Sequence, residues 1–238
     1  VTLIWVVNPN TTEAMTAAIT RSALAVVAPG TTVAGITPES GPPSIESHYD
    51  EAMSVPGVLT AIRRGEEQGV DGYVIACFGD PGLDAAREVA RGPVIGIAEA
   101  AMHTASHLGR GFSVVTTLGR TIGRAAELAE RYGMQRFCRG IHACELPVLD
   151  LDTDPDAVKI VTEACRQAVD ADGSDVVVLG CAGMADMCAV ISADVGVPVV
   201  DGVSAATLTV QSLVAMGLKT STRGEYAPPP EKVYAVGG

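Results

Sequence analysis

The chain has 238 residues, 47% of them apolar, 18% charged and 4% aromatic, with a formal charge of −12 at pH 7. That length buries a real core, and the composition is globular, with its apolar weight on Ala, Val, Ile and Leu as in packed α/β layers. An acidic chain without a Lys/Arg cluster argues against nucleic acid and anionic membrane as partners, and no apolar run approaches the roughly 20 residues of a membrane span.

TLIWVV at residues 2–7 predicts a strand; it lacks the basic flank of a signal peptide, so the expected location is cytoplasmic. After the loop NPNTT, residues 13–27 predict a helix, 32–36 a short strand, and 37–50 a Gly/Pro/Ser-rich loop that is a candidate lid. Residues 58–68 predict a helix, YVIAC at 73–77 a buried strand, then a short helix, a strand PVIGI at 93–97 and a helix at 99–107. The same order recurs: FSVVTT at 112–117 and 135–142 as strands with a helix at 123–132 between them, a helix at 157–170, strands VVVLGC and PVVDG, and a helix at 205–215. The proline-rich YAPPPEKVY is expected extended on the surface.

Comparing the halves is the most informative step. DGYVIACFG at 71–79 matches DVVVLGCAG at 175–183, with an Asp six residues before a Cys in both, and PVIGIAEAA at 93–101 matches PVVDGVSAA at 198–206. Strands alternating with helices predict parallel sheets with helices on both faces. The expected fold is therefore α/β, two pseudo-symmetric parallel-sheet domains with the active site in the cleft between them. Residues 1–108 make the first half, with part of the C-terminal segment packing on it; 109–215 make the second, and 216–238 an extended C-terminal tail.

The six cysteines, at 77, 138, 144, 165, 181 and 188, form no C-x-x-C pair and have no His at zinc-finger spacing. Neither a disulfide framework nor a metal site is expected. A lone cysteine at a strand end is more often a small buried hydrophobe than a reactive group. Symmetric placement at matching points of a repeat reverses that weighting for Cys77 and Cys181. Each ends an apolar run just before a Gly-containing turn, at the carboxyl edge of a parallel sheet where ligands bind. Free N–H groups and a helix dipole there are expected to lower the thiol pKa.

Two thiols facing each other across a cleft suit racemisation at a carbon beside a carbonyl. One, as thiolate, removes a proton from one face; the other, as thiol, delivers a proton to the opposite face. Backbone N–H groups of the turns receive the developing enolate-like oxygen, and no cofactor is needed. Cys138, Cys144, Cys165 and Cys188 are assigned to packing. Of the four histidines, His103 and His107 have a spacing common by chance, and only His48 is placed near the cleft mouth.

The stretch ACFGDPGLDAAR at 76–87, GIAEA at 96–100, NPNTT at 8–12 and GCAGM at 180–184 resemble the hydantoin and allantoin racemases of the aspartate/glutamate racemase superfamily, over nearly the whole chain. The resemblance implies an aspartate/glutamate racemase-like fold, a two-thiol mechanism with Cys77 and Cys181 as catalytic residues, and a homo-oligomer. Amino-acid racemases of the superfamily carry Cys-Asn-Thr at both sites. Here Phe78-Gly79 and Ala182-Gly183 stand instead, which suits a neutral ring better than a carboxylate. Having both cysteines argues against arylmalonate decarboxylation, whose enzymes keep one.

The expected partner is a small molecule, a 5-substituted hydantoin. Asn10 either bonds its carbonyl or ring N–H, or orders the first helix's start, or does both. Thr116 and Thr117 occupy the matching strand end. Phe78 packs over the substrate or fills the core, and Asp80 orders its turn and caps the following helix. Allantoin racemisation is the nearest alternative, a small-acid racemase or isomerase a more distant one, and a two-lobed binding protein the alternative without chemistry.

Overall fold

The structure, a computed structural model, describes residues 2–233. Eight strands form two four-stranded parallel sheets. The first holds β1 (Thr2–Val7), β2 (Thr31–Ile36), β3 (Gly72–Ile75) and β4 (Val94–Gly96); the second holds β5 (Phe112–Thr116), β6 (Cys138–Ala143), β7 (Val176–Leu179) and β8 (Val199–Asp201). Their orders, β2-β1-β3-β4 and β6-β5-β7-β8, are the same pattern repeated. β3 and β7 are buried throughout, as expected for central strands covered on both faces.

The repeated Asp explains part of the symmetry. Asp71 accepts a hydrogen bond from the Leu3 N–H at 2.8 Å, and Asp175 accepts from the N–H groups of Arg110 and Gly111 at 2.9 and 3.2 Å. Each carboxylate fixes β3 or β7 against the start of the neighbouring strand. Register set there is transmitted to the far end, where the cysteines stand.

The helices are α1 (Glu13–Leu24), α2 (His48–Glu67), α3 (Leu83–Val89), α4 (Ile97–Leu108), α5 (Ile122–Arg131), α6 (Asp150–Thr153), α7 (Ala157–Asp172), α8 (Cys188–Val195) and α9 (Gly202–Ala215). Most ends lie within a few residues of expectation; α1 stops three residues short, and α4 and α9 begin two and three residues early. The large difference is α2, which starts ten residues before the expected Val58 and takes in the end of the supposed loop. Ser47 and Asp50 cap it: the Asp50 N–H donates to the Ser47 hydroxyl at 3.1 Å and that hydroxyl donates to the Asp50 carboxylate at 2.7 Å. Pro56 sits inside α2, but both it and Ala52, whose carbonyl loses its helical partner, are exposed to water.

α4 and α9 exchange places. α4 leaves the first sheet and packs on β7 and β8, whereas α9 leaves the second and packs on β1, β3 and β4. Val203, Ala206 and Val210 of α9 thus share a core with Ile4, Val6 and Val74, and Ala98, Ala101, Met102 and Ala105 of α4 share one with Val114, Val176 and Val178. The crossing is at the helix starts, where Ile97 and its repeat counterpart Gly202 touch; a Cβ on Gly202 would lie 2.5 Å from the Ile97 carbonyl oxygen. The segment after α9 has one 3-10 turn (Gly224–Tyr226) and returns to the first half: the Thr220 hydroxyl donates to the Gly92 carbonyl and the Tyr226 hydroxyl to Asp84. The end of the expected tail, 234–238, lies outside the described residues.

Candidate active site

Past the last paired residues of β3 and β7 the chain makes the same hydrogen bond twice. The Ala76 N–H donates to the Val7 carbonyl at 2.8 Å, and the Gly180 N–H to the Val115 carbonyl at 2.8 Å. These bonds carry each strand one residue further and deliver Cys77 and Cys181 to the carboxyl edges of their sheets. Gly180 is required at its place, since a Cβ there would sit 2.9 Å from both the Thr116 Cα and the Val115 carbonyl oxygen.

The two cysteines line one cavity of about 160 Å³ between the halves. A space of about 150 Å³ holds a benzene-sized ring. Its wall includes Asn10, Phe78, Gly79, Thr116, Thr117 and Ala182, all expected at the site. Gly183 is the exception: it is absent from the cavity wall, and its backbone N–H acts on the Cys181 sulfur instead, lowering its pKa as that of Gly79 lowers Cys77.

Phe78 and Ala182, the residues after the two cysteines, are each buried in the core that fills behind the opposite sheet. Phe78 therefore both fills core space and faces the cavity. Asn10 has a clear structural task. Its carbonyl oxygen accepts from the Asn8 side chain at 2.8 Å and the Thr12 N–H at 2.9 Å, which shapes the loop into α1. Its amide N–H rests only on the Met15 sulfur at 3.0 Å, a weak acceptor that a substrate carbonyl can replace. The Thr116 hydroxyl is tied to that of Thr121 at 2.8 Å.

Asp80 departs from expectation in what it caps. Its carboxylate accepts from the N–H groups of Ala98 and Glu99 at 3.1 and 3.0 Å, the start of α4, instead of capping the adjacent α3. Gly96 makes room for it. The Tyr132 hydroxyl of the second half donates to the same carboxylate at 2.7 Å, so the Cys77 turn is anchored across the cleft. Burial pushes Asp80 up to about 6 despite these bonds. In the second half Asp201 caps α9 from its own N-cap position, through the Ser204 N–H at 2.8 Å.

The thiols behave opposite to expectation. Burial pushes Cys77 and Cys181 each up to about 12, more than the N–H groups of Gly79 and Gly183 pull them down. Cys77 is raised further by the prospect of a second negative charge on Cys181. The pair therefore favours at most one thiolate at a time. Burial also raises Cys138, Cys144, Cys165 and Cys188. Acidity does not single out the pair; shared position in one cavity does.

Several lining residues escaped sequence reasoning because they come from the supposed loop, from the stretch just after it and from α5. Glu51 and Arg124 form an ion pair at 2.6 Å across the cleft, and Arg124 also donates to the Gly79 carbonyl at 2.8 Å. Glu46 accepts from the Val148 N–H of the second half at 2.7 Å. The signal available was the SxxD capping pair at Ser47 and Asp50, which places Glu51 on the first turn of a helix. His48 lines the mouth, as expected; His103 and His107 are exposed on α4 and absent from the cavity wall. Among the described residues, no three His, Cys, Asp or Glu side chains converge as metal ligands would, and no helix is long and apolar enough to cross a membrane.

Comparison with known proteins gives a consistent result. The family model described as Asp/Glu/hydantoin racemase matches residues 4–210. The hydantoin racemase of Rhizobium meliloti is 48% identical over 98% of this chain and 97% of its own, and that of Pseudomonas sp. (strain NS671) 44% identical over 97% and 93%. Among solved structures, the allantoin racemase from Klebsiella pneumoniae superposes with a TM-score of 0.97 at 51% identity, covering 99% of this chain and 97% of that one.

Proposed function

Because the chain belongs to the Asp/Glu/hydantoin racemase family, we propose that it racemises 5-substituted hydantoins, with Cys77 and Cys181 as the two bases. The enzyme is an isomerase. The observation that carries the assignment of the bases is geometric: two sulfurs, brought by equivalent turns of a repeat, face one small cavity from opposite halves.

C5 of a hydantoin lies beside the C4 carbonyl, so removing its proton moves charge onto that oxygen. One cysteine, as thiolate, takes the proton while the other, as thiol, protonates the opposite face; the roles reverse for the other enantiomer. A thiolate whose thiol is pushed up to about 12 is scarce at neutral pH but a strong base once formed. The Asn10 amide N–H, the N–H groups after each cysteine and the threonines at the end of β5 supply donors for the ring carbonyls. Every proton the reaction moves is handled by a side chain or by water, so the mechanism calls for no cofactor.

Allantoin is itself a hydantoin with a ureido group at C5, and the likeness to an allantoin racemase structure at 51% identity favours it as a second substrate. Polarimetry decides the matter. One enantiopure 5-alkylhydantoin, chosen for slow spontaneous racemisation, is followed with and without protein, beside enantiopure allantoin. Rotation decaying well above background for the alkylhydantoin, and its loss in Cys77→Ser and Cys181→Ser, is the expected result. Decay for allantoin alone moves the assignment to that substrate, and full activity in both variants removes the two-thiol mechanism. A homo-oligomer, on family resemblance, and a cytoplasmic location complete the proposal, and sedimentation velocity and cell fractionation test them.

A further inference from the structure

The two thiols share a cavity but have different neighbours. A Cβ built on Gly79 would lie 3.3 Å from the Glu51 Oε2 and 3.8 Å from the Cys77 Sγ, so carboxylate and thiol flank the same glycine and line the same cavity. The matching point on Gly183 lies 3.8 Å from the Cys181 Sγ, but its other neighbours are the Leu151 Cδ1 at 3.0 Å and the Met15 Cε at 3.7 Å. The turn beside Cys77 has an ion-paired carboxylate as its nearest neighbour, and the turn beside Cys181 has apolar side chains.

Resting on the two-thiol reading above, we propose that Glu51, clamped by Arg124, carries the Cys77 proton to and from solvent between turnovers. Each turnover leaves the enzyme inverted: the cysteine that took a proton holds it, and the one that gave a proton lacks it. Acting again on the same enantiomer requires both to reset. For Cys77 the S–H bond breaks, the electron pair stays on sulfur, and the proton passes to Glu51, directly or through one water. The carboxylic acid then releases it to solvent and returns to carboxylate, while Cys181 is reprotonated from water. No electron changes hands.

Glu51 is placed for this. Its side chain is 18% exposed, so it connects the buried thiol with the cleft mouth. Arg124 holds it at 2.6 Å and also holds the Gly79 carbonyl, which fixes the distance between carboxylate and turn. Burial raises the Glu51 carboxyl above its usual range, by more than Arg124 and His48 lower it. Asp80 also faces Cys77, but it is buried and its oxygens already serve Ala98, Glu99 and Tyr132. Around Cys181 the acidic groups are Glu46 and Asp152, and Glu46 is already engaged by the Val148 N–H.

The test uses single-thiol proteins. Each enantiomer of 5-isopropylhydantoin is incubated in D2O with Cys181→Ser or Cys77→Ser protein, and loss of the C5–H signal is followed by NMR. Each protein is expected to exchange one enantiomer. Adding Glu51→Gln slows exchange about a hundredfold or more in the Cys181→Ser background, in the range of general acid–base effects. In the Cys77→Ser background it slows exchange at least several-fold less, which separates the relay from a general disturbance of the cavity, and Glu51→Asp restores part of the loss. Equal slowing in both backgrounds, or none in either, overturns the relay. If neither single-thiol protein exchanges above background, the two-thiol reading itself fails and the relay with it.

Discussion

At the level of single residues, the behaviour of Cys77 and Cys181 is decided by competition between burial and two backbone N–H groups. Burial wins, and both thiols are pushed up to about 12. This has a consequence for stability. An unfolded thiol ionises near its ordinary value of 9.0 while the folded one keeps its proton, so rising pH favours unfolding. The stability held by the protonated thiols is complete below the unfolded value and is lost as pH climbs from about 9 to about 12. Urea-unfolding midpoints of wild type and Cys77→Ser, measured across that window, are expected to converge as pH rises. A constant difference would mean that Cys77 is as acidic in the fold as outside it.

Among the elements, the exchange of α4 and α9 has the widest effect. Their starts meet at Ile97 and Gly202, equivalent points of the repeat in contact with each other. Gly202→Ala forces a methyl to within 2.5 Å of the Ile97 carbonyl oxygen and 2.7 Å of the Ile97 Cβ, and neither backbone nor branched side chain yields easily there. The expected cost is about 1–3 kcal/mol, typical of overpacking, read as a lower urea midpoint with an unchanged slope. Because the start of α4 is tied to the Cys77 turn through Asp80, turnover is expected to fall with stability.

For the whole molecule, the exchange means that neither half is complete alone. Residues 1–108 contain the first sheet but lack Val203, Ala206 and Val210, which cover one of its faces, and they carry α4 with no sheet to pack on. Expressed as a fragment, 1–108 is expected to give the poorly dispersed amide spectrum of an unfolded chain. Adding 109–238 is expected to restore dispersion and turnover together. A fragment folded by itself would show that α4 folds back onto its own sheet when α9 is missing. Further ties cross the cleft, Arg21 to Asp186, Arg124 to Glu51 and Arg131 to Asp84, and all but the buried part of the Glu51 pair are solvated and individually weak. The apolar exchange of helices holds the halves together.

The sequence by itself determined the class of fold, the repeat and the two cysteines, because these rest on local signals. Apolar runs of strand length and a doubled Asp-to-Cys spacing are visible without knowing what touches what. Two things were decided only in three dimensions. One is the environment of each thiol: Leu151 and Met15 beside Cys181, and Glu51 and Arg124 beside Cys77, are brought from distant segments, and desolvation depends on everything packed around a sulfur. The other is the range of α2, which starts ten residues before the expected Val58. Pro56 lies on the exposed side and removes only the N–H that would have bonded the Ala52 carbonyl, so the helix runs on and places Glu51 over the cavity. Local propensity is weak enough for packing to override it, and at this site packing placed the groups that act on the chemistry.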